Sequence, residues 1–231
     1  MNYFLFFQVS FLEKPGEPSN QKNQRTQRTR KNQENQRTQR PAKPRRTEQL
    51  LRREKSFCKL IYSKSSELAK LASLEGGKPI KDSMIEIQRG AEGVKTAIEI
   101  IKSESGDVIP MNINKASENR IAFTQKEPIG VVLAISAFNH PFNLIIHQVI
   151  PAIAVGCPVI VKPAEDTPLS CLKIVEMLYE AGLPKNRCHF VMPENLELAT
   201  KLVSDERIDF FSFIGSSKVG WFLRSKLAPG T

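Results

Sequence analysis

Ile208-Asp209-Phe210-Phe211-Ser212-Phe213-Ile214-Gly215-Ser216-Ser217-Lys218-Val219-Gly220 decides the fold. An apolar run of strand length feeds a glycine-bounded turn, and the turn opens a helix. Free backbone N–H groups and the positive end of the helix dipole favour an anion at such a turn. The segment therefore reads either as a seat for a nucleotide pyrophosphate or as an ordinary tight strand-to-helix turn. Gly-x-x-x-x-Gly alone does not separate the two.

The residues upstream repeat the same alternation. Gly130-Val131-Val132-Leu133-Ala134-Ile135-Ser136 reads as a buried strand, residues 144–155 as a helix, and Cys157-Pro158-Val159-Ile160-Val161-Lys162 as a second strand. A helix follows, with Thr167 as cap candidate, Pro168 at its first position, and Gly182 and Pro184 closing it. Cys188-His189-Phe190-Val191 is a third strand, residues 196–203 a helix, and residues 208–214 the fourth strand. Continuous apolar strands separated by helices predict a parallel sheet covered on both faces, an α/β doubly wound, Rossmann-like fold. Such sheets bind ligands at the carboxyl ends of their strands. Asn139, Lys162 with Glu165, and the turn from Gly215 to Gly220 all fall at those ends.

Ahead of this unit the spacing predicts two N-terminal helices. The first runs from about Leu50, with Leu60, Ile61, Leu68, Leu71, Ala72 and Leu74 apolar, and stops at Gly76-Gly77-Lys78-Pro79. The second, about 80–101, presents a polar face of Lys81, Glu86, Arg89, Glu92 and Lys95. Residues 103–129 read as an excursion or hairpin around Ile121-Ala122-Phe123-Thr124.

Charge is concentrated at one end. The 231-residue chain has a net charge of +10, and residues 21–55 alone carry 13 Lys and Arg against 3 Asp and Glu. Within them Asn23-Gln24-Arg25-Thr26-Gln27-Arg28 recurs as Asn35-Gln36-Arg37-Thr38-Gln39-Arg40. With almost no apolar side chain between residues 20 and 49, residues 1–49 read as a disordered, basic, low-complexity tail. The tail is either simply solvated, or not native coding sequence, or an arm for nonspecific nucleic-acid contact through counterion release. The apolar start, Met1 to Leu12, is too short to span a bilayer and lacks the basic flank and cleavage pattern of a signal peptide. Cys58, Cys157, Cys171 and Cys188 show no metal-ligand spacing, and neither do His140, His147 and His189. Reduced thiols point to a cytoplasmic protein without a metal.

The residue types at the strand ends fit nucleotide chemistry. A carboxylate such as Glu165 accepts hydrogen bonds from ribose hydroxyls, and an ammonium such as Lys162 donates to ribose or neutralises phosphate; a surface ion pair is the alternative. Asn139 could donate an uncharged N–H to a developing oxyanion, or could serve only as a turn residue before His140-Pro141. Asn143 opens the following helix and reads as its cap.

Glu127-Pro128-Ile129-Gly130-Val131-Val132, Phe138-Asn139-His140-Pro141, Pro151-Ala152-Ile153-Ala154, Lys162-Pro163-Ala164-Glu165, Glu180-Ala181-Gly182-Leu183-Pro184 and Gly215-Ser216-Ser217-Lys218-Val219-Gly220 together resemble the N-terminal, coenzyme-binding part of the aldehyde dehydrogenase superfamily. The resemblance covers roughly residues 50–231 and implies NAD(P)-dependent oxidation of an aldehyde to a carboxylic acid. It makes Asn139 the oxyanion-hole donor and Lys162 and Glu165 the ribose contacts. Ile135 and Ser136 then line the coenzyme, and Gly215, Ser216 and Gly220 form the pyrophosphate turn. NAD is favoured over NADP because the charge of Glu165 would repel a 2′-phosphate. The resemblance also implies a small-molecule aldehyde as partner, polar in the branches that Phe138-Asn139-His140-Pro141-Phe142-Asn143 resembles, and a homo-oligomer formed through the hairpin near residues 107–127.

In the family a cysteine thiolate attacks the aldehyde, hydride passes to the nicotinamide, and a glutamate activates the hydrolytic water. The resemblance places both residues beyond position 231, the glutamate in a Glu-x-Gly-Gly context, so the chain is expected to be an inactive coenzyme-binding fragment of the enzyme. The family's first strands and helix are also expected to be missing, with the basic repeat in their place. The competing reading is a catalytically inactive nucleotide-fold module with a basic nucleic-acid-binding arm.

Overall fold

The structure, a computed structural model, describes residues 5–13, 43–103 and 105–231. The basic repeat, with the disorder and nucleic-acid contact expected of it, lies outside the described residues. Strand β1 (Leu5–Glu13) is followed by helices α1 (Lys43–Ser63), α2 (Ser65–Gly76) and α3 (Ile80–Ser103). Next come β2 (Val108–Ile109), β3 (Arg120–Pro128), β4 (Val132–Ile135), α4 (Asn143–Ala154), β5 (Val159–Lys162) and α5 (Leu169–Glu180). The order ends with β6 (Cys188–Phe190), α6 (Leu196–Val203), β7 (Phe210–Phe213) and α7 (Ser217–Arg224).

Strands β4 to β7 form the expected parallel sheet, in the order β6-β5-β4-β7. Alternate residues of β4 point to opposite faces, as the period of two demands. Val132 and Ala134 join Val159, Val161 and Cys188 in the larger core, which is filled from α1 to α5. Leu133 and Ile135 face the smaller core, with Val203 of α6, Ile208, and Leu223 of α7. Helices on both faces leave the carboxyl edge of the sheet as the place where loops can converge on a ligand.

β2 and β3 pair antiparallel, the hairpin expected of residues 103–129, and β1 adds to β3 with Leu5 opposite Pro128 and Glu13 opposite Arg120. Leu5–Glu13 thus forms a strand within the stretch read as tail. The first long helix opens at Lys43 rather than Leu50, because Lys, Arg, Glu and Gln are good helix formers despite their polarity. It breaks between Ser63 and Ser65 to give α1 and α2. Leu74, read as part of the apolar stripe, is exposed.

Glu86, read onto the polar face of α3, is 2% exposed. Its reversal explains a second difference, since α4 has no side-chain cap of its own and Asn143 occupies the first helical position. The N–H groups of Phe142 and Asn143 instead donate to Glu86 Oε1, at 2.8 and 2.9 Å. At α5, Thr167 does not cap either; its hydroxyl donates to the Phe138 carbonyl at 3.5 Å. Glu75 of α2 takes the N–H groups of Leu169 and Ser170 at 2.7 and 2.9 Å. A carboxylate at a helix N-terminus satisfies orphan donors and meets the positive dipole end. The N-terminal helices thus hold both central helices of the sheet by their amino ends.

Candidate functional site

The loops after β4, β5 and β7 converge on one edge because the three strands are parallel neighbours in register: Ile135 stands opposite both Lys162 and Phe213. The N–H of Ser136 donates to the Lys162 carbonyl at 3.0 Å, and the N–H of Ile214 to the Ile135 carbonyl at 2.9 Å. Ile135, Ser136, Lys162, Gly215 and Ser216 are therefore brought together as one row. Gln148, which the sequence reading missed, braces it from below: its Nε2 lies 3.2 Å from the Ile135 carbonyl and 3.0 Å from both the carbonyl and the hydroxyl of Ser212. The other buried residues of α4 are all apolar, and an amide among them is the signal that could have found Gln148.

Lys162 ends β5 with its side chain 12% exposed, while Glu165, three residues on, is 72% exposed. Their Nζ–Oε1 separation of 3.6 Å makes a loose pair, and Nζ also donates to the Pro163 carbonyl at 3.2 Å. The Glu165 end of this loose pair lies in solvent, which competes well for it, so the carboxylate keeps hydrogen-bonding capacity for a ligand. Ser136 Oγ is buried without a partner, a polar group beside them that a bound molecule could satisfy.

Ser216 caps α7, accepting from the Val219 N–H at 3.5 Å. The first-turn N–H groups of Ser217 and Lys218 have no protein acceptor among the described residues, as an anion seat requires. Neither Gly215 nor Gly220 has positive φ. A side chain at Gly215 would come within 2.5 Å of the Phe213 ring, and one at Gly220 within 2.9 Å. The glycines thus serve close approach rather than an unusual backbone conformation. An exposed carboxylate, a neighbouring ammonium, an orphan hydroxyl and an open helix N-terminus form a donor and acceptor set that fits a nicotinamide dinucleotide.

Asn139 lies on the loop after β4 and is exposed. Its carbonyl accepts from Lys78 Nζ at 3.3 Å, and its side-chain amide makes no hydrogen bond among the described residues. Lys78 pairs with the buried Glu86, so the loop is tied to α3 by the carboxylate that caps α4. His140, read as incidental, joins this network with Nδ1 3.4 Å from Lys78 Nζ and 3.7 Å from Glu86 Oε2.

None of the four cysteines is in a disulfide, and all four are buried. Burial pushes the thiols of Cys58 and Cys171 upward and that of Cys188 to about 12. The thiolate is the reactive form of cysteine, so these three sites resist acting as nucleophiles. Among the described residues no group of His, Cys, Asp and Glu is arranged to hold a metal ion, and no helix is long and apolar enough to cross a membrane.

A parallel doubly wound sheet with this row of groups along its carboxyl edge defines a dinucleotide-binding class of protein. Residues 18–229 match the aldehyde dehydrogenase family, and the chain belongs to that family. The match extends through most of the stretch that the sequence reading set outside the resemblance. The chain is 41% identical over 167 residues to 3-sulfolactaldehyde dehydrogenase of Priestia megaterium, covering 72% of this chain and 35% of that protein. Among solved structures it is similar to glyceraldehyde-3-phosphate dehydrogenase GapN of Methanocaldococcus jannaschii complexed with NADP. That likeness has a TM-score of 0.72 and 32% identity, covering 78% of this chain and 39% of that one. Aldehyde dehydrogenase 21 of Physcomitrella patens, in complex with the reaction product succinate, gives a TM-score of 0.74 and 33% identity over 79% of this chain and 38% of that one. The chain spans about a third of the length of the curated relatives it matches.

Proposed function

We propose that the chain is the coenzyme-binding part of an NAD(P)-dependent aldehyde dehydrogenase that oxidises a small, polar aldehyde to its acid. The observation that carries this reading is the single row formed by Ser136, Lys162, Glu165 and the Ser216 turn, with Asn139 exposed on the adjoining loop. A bound nicotinamide coenzyme supplies the hydride acceptor. Lys162 and Glu165 hold the ribose, the N–H groups around Ser216 hold the pyrophosphate, and Glu165 favours NAD by charge repulsion of a 2′-phosphate. Asn139 donates to the oxygen on which negative charge develops, where an uncharged donor stabilises without titrating.

The attacking thiolate and the carboxylate that activates water come, in this reading, from sequence outside residues 1–231. The burial of all four cysteines supports this. The sulfonate, phosphate and carboxylate implied by the relatives' named ligands support an anionic aldehyde. The hairpin β2–β3 is the oligomerisation element, consistent with the exposed Val108, Ile113 and Ile121. Thiols outside any disulfide fit a reducing, cytoplasmic compartment.

Calorimetric titration of the 231-residue chain with NAD⁺ and NADP⁺ tests the proposal. Binding of at least one coenzyme, weakened about tenfold or more by Lys162→Ala, is the expected result. No binding of either, or binding indifferent to Lys162, would overturn it.

A further inference from the structure

Helix α1 carries seven Lys and Arg against two Glu, and packing sorts its residues onto two faces. Leu51, Phe57, Cys58 and Ile61 turn onto the core, and Glu54 goes with them, 2% exposed. Burial raises the Glu54 carboxyl from 4.5 to about 8, so at neutral pH it is largely protonated and adds little negative charge. Arg52, Lys55 and Lys59 are exposed. Steps of three and four residues stay on one side of a helix, so these three form a single outward stripe about 10 Å long.

Little on the protein answers that charge. Glu48 pairs with Arg52 at 2.5 Å, but both side chains are more than half exposed, and such a pair yields readily to another anion. Lys55 and Lys59 have no partner among the described residues. At the carboxyl end of α1 the Tyr62 hydroxyl donates to Glu92 at 3.0 Å, and Glu92 is answered locally by Lys95 at 2.9 Å. In sequence the stripe overlaps residues 21–55, where 13 Lys and Arg stand against 3 Asp and Glu.

A row of cations without matching carboxylates suits a polyanion, and the residues around it select which. The one aromatic residue between Arg52 and Lys59, Phe57, is buried, so the stripe offers no ring on which an unpaired base can stack. A helix that lies on a membrane buries its apolar face among lipid, and the apolar face of α1 is already spent on the core. A nucleic-acid duplex carries about one charge per 1.7 Å of axis in a stiff row and needs only cations at short intervals. We propose that the outer face of α1 is a sequence-independent contact surface for a nucleic-acid duplex, with Arg52, Lys55 and Lys59 on its phosphates. The inference stands apart from the coenzyme reading, since none of these residues belongs to the row at the carboxyl edge of the sheet.

The test is fluorescence anisotropy of a labelled DNA duplex of about 20 base pairs with the full 231-residue chain, repeated between about 50 and 200 mM NaCl. The logarithm of the association constant should fall linearly with the logarithm of salt concentration, because each neutralised phosphate releases counterions. Arg52→Gln, Lys55→Gln and Lys59→Gln combined should reduce that slope by about 2 to 3 and weaken binding about tenfold or more near the middle of the range. The three positions are exposed and Gln is a comparable helix former, so the urea midpoint should match the parent and separate lost contact from lost fold. A second variant, Lys115→Gln with Lys185→Gln and Lys201→Gln, removes the same charge from exposed positions elsewhere and should change the slope by less than about 1.

No duplex binding by the parent, a slope that survives the α1 substitutions, or an equal loss in the second variant overturns the proposal. Unlabelled duplex should displace the probe, and vesicles of phosphatidylcholine with about one-third phosphatidylserine at the same charge concentration should not. Vesicles that compete as well as duplex make the partner a membrane surface and overturn it. A single strand of the same length that binds more tightly than the duplex overturns it as well.

Discussion

Stability should fall steeply between pH 5 and pH 8 because of one side chain. Glu54 lies on the buried stripe of α1 with Phe57, Cys58 and Ile61, is 2% exposed, and has no partner for Oε2. Burial raises its pKa from 4.5 to about 8. Between those values the folded chain keeps a proton that the unfolded chain releases, so the unfolded state gains with each step in pH. The contribution is fully present below about pH 4.5, declines by about 1.4 kcal/mol per pH unit, and is exhausted above about pH 8. Over the whole window this amounts to about 5 kcal/mol, comparable with the total stability of many domains. Glu54→Gln keeps the shape and removes the ionisation. Urea unfolding followed by circular dichroism at pH 5, 6, 7 and 8 compares parent and variant at each pH, so titration of all other groups cancels. The two should be close at pH 5, and the variant should be more stable by about 3 kcal/mol or more at pH 8. A stability difference that stays flat to within about 0.5 kcal/mol across that range would refute the reasoning.

Glu86→Gln should cost about 3 kcal/mol in urea unfolding, because it leaves the largely buried Lys78 ammonium without its counter-charge and weakens the cap of α4; a loss below about 0.5 kcal/mol would mean that Lys78 simply turns to solvent. Gly130→Ala should destabilise by about 2–4 kcal/mol, since Gly130 has φ +134° and a side chain there would collide with the Asp209 carboxylate that accepts from the Val131 N–H. An unchanged melting temperature would show that the connection into β4 relaxes freely. Glu165→Gln should raise affinity for NADP⁺ relative to NAD⁺ by about three- to tenfold, a modest effect because the carboxylate is exposed. Parallel calorimetric titrations would expose an unchanged ratio.

The sheet was legible because each of its strands is a short apolar run bounded by its own punctuation. Val132–Ile135 and Val159–Lys162 have no polar residue before their carboxyl ends, and Gly182 and Pro184 stop the helix between β5 and β6. Parallel pairing then had few arrangements open to it. The candidate site was legible for the same reason, since residues at strand ends must meet once the strands are parallel and in register. Lys162 and Ser136 are joined by a backbone bond that follows from that register alone. The opening of α1 was not legible, because residues 43–49 combine high helix propensity with a polarity that reads as disorder.

The helix caps were illegible for a deeper reason. Thr167 and Asn143 have the residue types and positions of local caps, and local rules choose them. The groups that do the capping are 56 and 57 residues away at α4 and 94 and 95 residues away at α5. A neutral hydroxyl or amide loses to a carboxylate wherever the fold can deliver one, because the ionised acceptor makes the stronger bond and adds its charge to the dipole. Glu75 and Glu86 stand before and after the Gly76-Gly77-Lys78-Pro79 stop, so one helix break aims two carboxylates at two different helices. Glu86 also holds Lys78, which holds the Asn139 carbonyl. The placement of Asn139 therefore depends on how α3 packs against α4, and a change on α3 that leaves every strand intact can still move the Asn139 loop.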